Sequence, residues 1–157
     1  MNRRDFMRGL VLGAGTVAAH AAIGAPPGAE TAPKSFCFCV AADPHCSEGP
    51  KEGLEPLGSG ADKFLRALRM MEEMAGEDKP DFVLVAGDIH PQALAGKLEG
   101  VKIPMHVVPG NHESDSEIRK ALRGMFPGDF QVDGKPSDYY SFLHKGARFI
   151  GVCDAGK

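Results

Sequence analysis

The sequence predicts an α/β domain with a largely parallel core sheet. Three observations lead there: apolar runs of strand length alternate with stretches of helical periodicity, the first three runs each stop at a polar cluster, and no internal repeat or long low-complexity segment interrupts the alternation. In such sheets ligands gather beyond the carboxyl ends of the strands. A length of 157 residues with an ordinary charged fraction of 25% fits one globular domain plus extra segments, and excludes a fibre or wholesale disorder.

The first run, from Phe36 to Ala42, is continuously apolar and reads as a strand buried on both faces, ending at Asp43-Pro44. A loop rich in Gly, Pro and Glu follows from Cys46 to Gly60. Phe64, Leu65, Leu68, Met71 and Met74 then recur at helical spacing, with Ser59 as the cap and an end near Gly76. Phe82 to Ala86 is a second buried strand, followed by Gly87-Asp88 and a weaker helix from Pro91 to Leu98. Pro104 to Val108 is a third, ending at Pro109-Gly110-Asn111-His112; Ser114 and Glu117 then form a capping box for a helix through Met125. Tyr139 to Leu143 and Ala147 to Val152, joined across Lys145-Gly146, form a hairpin.

Ahead of this domain stands a segment of another character. Arg3, Arg4 and Arg8 precede an apolar run from Leu10 to Ala22 that ends in small residues, the composition of a signal peptide over residues 1–25. The run contains Gly13, Gly15 and Thr16 and falls short of the roughly 20 apolar residues that span a bilayer, so no stable membrane anchor is expected. Asn2-Arg3-Arg4-Asp5-Phe6-Met7 resembles the bacterial twin-arginine export signal, with Met7 where Leu is commoner. Cleavage is expected in Ala19-His20-Ala21 or after Ala25. Residues 26–34 read as a linker, since Pro26, Pro27, Gly28 and Pro33 leave it loose. The expected partner is the twin-arginine export machinery, and the expected location is periplasmic or secreted.

Three of the 18 basic and one of the 21 acidic residues precede Pro26, leaving 15 against 20 and a net charge of −5. That balance does not advertise a nucleic acid partner. Cys37, Cys39, Cys46 and Cys153 read first as small buried apolar residues. Cys37 and Cys39 lie two apart on a strand, which puts their Cα atoms about 6.5 to 7 Å apart, at the limit for a disulfide.

The chemistry lies in three clusters: Asp43-Pro44-His45, Gly87-Asp88 and Gly110-Asn111-His112, each at the carboxyl end of a predicted strand. In an extended segment residues two apart point the same way, so Asp43 and His45 face one point beyond the sheet. Mixed oxygen and nitrogen donors suit first-row metals such as Mn, Fe or Zn rather than calcium. Two such ions roughly 3.5 to 4 Å apart can hold a hydroxide between them and neutralise a phosphate under in-line attack, with Asp88 as the shared carboxylate. Taken singly, each acid also has a plain reading: Asp43 before Pro44 as a turn residue, Asp88 as a helix cap, Glu113 as an acid favoured at a helix start. His106 inside a strand and His144 beside a turn read as structural.

D-x-H, then G-D, then G-N-H-E, in this order, resembles the calcineurin-like metallophosphoesterase family. The resemblance covers Ser35 to Lys157, the first half of such a domain, so a truncated metallophosphoesterase-like β-sheet sandwich flanked by helices is expected. It implies that Asp43 and His45 bind the first metal, that Asp88 bridges, that Asn111 binds the second through its side-chain oxygen, and that His112 protonates the leaving alkoxide. His90 and Glu113 are candidates for substrate contact and for orienting His112. The implied substrate is a small phosphate mono- or diester.

The family completes both metal shells with later histidines, including a G-H-x-H element, which this chain lacks. With Asp88 and Asn111 alone on the second metal, the chain as given is expected to hydrolyse little. Purple acid phosphatases place a tyrosine where this chain has Pro91, and protein Ser/Thr phosphatases continue G-D-x-V-D-R-G where it has Gly87 to Ala93 with His90 and Pro91. Export argues against the related DNA nucleases. The competing class is a non-catalytic scaffold of the same fold; retention of His112 counts against it, because a scaffold has no use for a proton donor.

Overall fold

The computed structural model describes residues 35–50, 52–53 and 55–153. The expected signal peptide over residues 1–25 and linker over residues 26–34 lie outside the described residues. Among the described residues no helix is long and apolar enough to cross a membrane.

The chain forms an α/β fold around a three-stranded parallel sheet. Strands β1 (Phe38–Ala42), β2 (Phe82–Ala86) and β3 (Met105–Val108) lie side by side in chain order. Val40 pairs with Leu84, and Leu84 with His106. Parallel neighbours need crossover connections. The first contains α1 (Gly60–Glu72), started by a true capping box: Asp62 N donates to Ser59 Oγ at 3.2 Å and Ser59 N to Asp62 Oδ2 at 2.8 Å. The helix ends at Glu72, four residues short of Gly76, where the Glu72 carboxylate accepts from Lys102 N and from Ile103 N, the latter at 2.9 Å.

Two expectations about the other helices are corrected. Residues from Pro91 to Leu98 do not form a helix; a 3-10 turn spans Pro91–Leu94 and turns follow. Gly96 at φ 71° and Gly100 at φ 84° take a left-handed backbone that a right-handed helix cannot continue. The next helix, α2 (Ser116–Met125), is capped by Asp115 rather than Ser114. The Asp115 carboxylate accepts from Glu117 N at 2.8 Å and Ile118 N at 3.3 Å, whereas Ser114 closes the preceding 3-10 turn with its own N–H on Asn111 O.

Pleating divides the sheet's side chains between two layers. Val83, Val85 and Val107 face α1 and α2 and are fully buried among Phe64, Leu68 and Leu122. Phe82 and Phe38 face the other way, toward a hairpin of β6 (Tyr139–His144) and β7 (Ala147–Val152), which turns at Lys145-Gly146 as expected. A short ribbon, β4 (Gln131–Val132) and β5 (Lys135–Pro136), precedes it. The hairpin forms its own sheet and joins the parallel one through rings: Phe82 lies 5.4 Å from Phe142, 5.1 Å from Phe149 and 5.2 Å from Phe38 between centroids. This is the second layer of the expected sandwich.

Edges explain a third correction. β2 is central and buried, but β1 is an edge strand, and Val40, expected inside, is 60% exposed. At the opposite edge β3 would leave backbone groups unpaired. Asp129 and Tyr140 satisfy those of Val107: Val107 N donates to Asp129 Oδ2 at 2.8 Å, and the Tyr140 hydroxyl donates to Val107 O at 2.9 Å.

Candidate metal centre

The three loops leaving β1, β2 and β3 are tied by backbone bonds that continue the sheet. Asp43 N donates to Ala86 O at 2.9 Å, His45 N to Asp88 O at 3.0 Å, and Gly87 N to Val108 O at 2.8 Å. The reading that Asp43 and His45 share a direction because their segment is extended is overturned. Asp43 (φ 45°), His45 (φ 44°) and His90 (φ 54°) all have left-handed backbones. Residues other than glycine rarely adopt that region, and it concentrates at functional sites.

The donors nevertheless come together, through this turn geometry rather than strand alternation. The Asp43 carboxylate lies against Gly87, where an added Cβ would stand 2.2 Å from Oδ1. Gly110 presses on Asp88 in the same way: a Cβ there would stand 2.1 Å from Asp88 Oδ1 and 2.5 Å from its backbone nitrogen. Glycine at these two positions lets three loops meet at one rim.

Asp88 is the centre of the arrangement and only 7% exposed. His112 N donates to its Oδ1 at 3.3 Å. Its Oδ2 stands 3.7 Å from His45 Nε2 and 3.7 Å from His112 Nε2. Those separations are too long for hydrogen bonds. A cation about 2.0 to 2.2 Å from both Asp88 Oδ2 and His45 Nε2 can span the first of these gaps. The His90 ring joins the same rim, 5.6 Å from the His45 ring and 5.3 Å from that of His112. Asn111 follows Gly110 directly and is exposed in the 3-10 turn Asn111–Glu113. Among the described residues, no three His, Cys, Asp or Glu side chains are already closed into a metal-holding group. The donor set of Asp43, His45, Asp88 and Asn111 still suits a first-row metal: two carboxylates, one imidazole and one amide.

Glu113 does not orient His112. It is fully buried, and its carboxylate accepts from His90 N through Oε1 and from Gly110 N through Oε2, each at 2.9 Å. The inward turn of residues 111–113 carries this side chain beneath the rim rather than toward the His112 ring. The Asn-His-Glu run flags the residue but not its destination, which lies 23 positions back along the chain.

Among the described residues His106 and His144 are structural, as read from the sequence, whereas of the cysteines, expected to be buried, only Cys46 is; Cys37, Cys39 and Cys153 are half-buried. His106 Nδ1 is 2.7 Å from Asp129 Oδ1 with its ring stacked 3.5 Å from Phe142, and His144 Nε2 is 2.7 Å from Asp81 Oδ2. All four cysteines are free, and burial, reinforced by the nearby Glu113 charge, pushes the Cys46 thiol up to about 12.

Compared with known proteins, the chain matches the family model described as calcineurin-like phosphoesterase over residues 38–155. No match is found among curated proteins or among solved structures. The matched stretch runs from the first residue of β1 past the end of β7 and takes in every donor at the rim. The chain belongs to the calcineurin-like phosphoesterases, a family whose general chemistry is the hydrolysis of phosphoric esters.

Proposed function

We propose that this rim is a dinuclear metal centre for hydrolysing small phosphate mono- or diesters, with His112 as the proton donor. The observation that carries the reading is the placement of His45 and His112 on either side of one oxygen of the buried Asp88. Asp43 and His45 would hold one ion, Asp88 both, and Asn111 the second. Divalent or trivalent Mn, Fe or Zn would supply charge neutralisation and a nucleophile near neutral pH. His112 is anchored through its backbone N–H to Asp88 while its side chain is half exposed, which leaves the imidazole free to meet a leaving oxygen. His90 stands beside it as a substrate contact.

His106 and His144 are committed to Asp129 and Asp81, so among the described residues this reading gives the second ion Asp88 and Asn111. We therefore expect metal binding to be measurable and turnover by the 157-residue chain to be small. Mn titration followed by electron paramagnetic resonance tests this: the wild type binds and Asp88→Asn does not. Equal binding by the two would sink the centre. Where turnover of an aryl phosphate ester is detectable, His112→Ala keeps the metal and loses on the order of a hundredfold in rate.

Export through the twin-arginine route to the periplasm is part of the same proposal and rests on the Arg3-Arg4 pair. Changing both arginines to lysine is expected to hold the protein in the cytoplasm; undiminished periplasmic protein would rule that route out.

A further inference from the structure

We propose that Glu113 is a positioning residue whose carboxylate bolts the Asp88 loop to the Gly110 loop, one oxygen to each, and so sets where Asp88, His90 and Asn111 stand. The consequence for metal binding rests on the metal-centre reading; the bolt itself rests on hydrogen-bond geometry alone.

Two facts make the case. Glu113 is fully buried, where an acid is costly and an apolar side chain of similar length would fill the space without burying a carboxyl group. What an apolar side chain lacks is two acceptors, and both are used: Oε1 on His90 N and Oε2 on Gly110 N, each at 2.9 Å. Bonds to an ionised acceptor are the stronger kind. The two N–H groups sit two residues beyond Asp88 and one before Asn111, so one side chain spans the two loops that carry the bridging acid and the amide donor. His90 has φ 54°, a backbone that persists only where its surroundings hold it, and the Glu113 bond falls on that residue. Glu113 is in turn fixed from behind, because Arg119 Nε donates to its carbonyl oxygen at 2.9 Å and Arg119 Nη1 pairs with Asp138 at 2.8 Å.

Position and charge are separable here. Glu113→Asp keeps the charge but is too short to reach both N–H groups. Glu113→Gln keeps the length but offers a single acceptor oxygen. In the wild-type chain without metal, scalar couplings across hydrogen bonds should connect the His90 and Gly110 amides to the Glu113 carboxyl carbon; their absence overturns the bolt, with no variant needed. In both variants at least one of those amides should exchange tenfold or more faster. Mn affinity should fall ten- to a hundredfold in both, while Glu117→Gln, an exposed acid on the same segment, keeps it. Wild-type Mn affinity in Glu113→Asp would show that the residue acts by charge and would overturn the positioning role. A wild-type chain that binds no Mn breaks the metal-centre reading instead, and the amide couplings still decide the bolt.

Discussion

At the carboxyl ends of the three parallel strands the chain buries acids and bends its backbone into left-handed turns, with Asp88 and Glu113 inside and Asp43, His45 and His90 at positive φ. Between the sheet and the hairpin it does the reverse. There Phe82, Phe142 and Phe149 stack or meet edge to face at 5.0 to 5.4 Å on regular strands. Each left-handed residue costs about 1 to 3 kcal/mol, while one buried phenylalanine contributes about 1.5 to 3 kcal/mol by leaving water. The magnitudes are comparable, so the aromatic layer can hold a strained rim in place. The rim is shaped for ligands and the layer for stability, a division expected where preorganised sites lower stability.

The contrast is most directly broken in the layer. Phe82→Ala should lower unfolding free energy by about 3 to 5 kcal/mol in urea denaturation, because the ring is 2% exposed and meets rings from β1, β3 and both hairpin strands. A loss under about 1 kcal/mol would mean that the hairpin is not held by this ring. At the rim, Gly110→Ala should cost about 1 to 3 kcal/mol through overpacking against the Asp88 backbone, and should also weaken Mn binding. An alanine variant with unchanged stability and metal affinity would show that the loops do not meet as closely as described.

The smallest effect concerns acid. Lys145 and then His144 hydrogen-bond to Asp81 and hold its carboxyl below the usual range. A depressed folded pKa stabilises above the unfolded value of about 3.9 and loses that contribution as pH falls through the folded value. Wild type should therefore lose about 0.2 to 1 kcal/mol more than Asp81→Asn between pH 5 and pH 2, the range of a partly exposed ion pair. Parallel losses in the two proteins would remove this pair from the acid response.

Local signals carried far. The three parallel strands, the Ser59 cap of α1 and the hairpin across Lys145-Gly146 follow from apolar runs, periodicity and turn chemistry within a few residues. The Asp133-Gly134 pair that turns the β4–β5 ribbon, at φ 51° and 74°, is an equally local signal. The site was visible as three polar clusters at strand ends, and the family match over residues 38–155 spans all three.

The sequence by itself determined the three parallel strands and the helix between the first two, and with the strands the delivery of Asp43, Asp88 and Asn111 to one end of a sheet. Only the tertiary structure decided that Asp43 and His45 leave the extended conformation, that Val40 stands at an edge, and that Glu113 turns inward to His90 and Gly110 while Asp129 takes the free edge of β3. The reason is separation along the chain. A periodicity or cap is written within one turn or strand, whereas the partner of a buried acid is chosen by which unpaired N–H groups packing brings within reach, here 23 residues away for His90 and 22 for Val107.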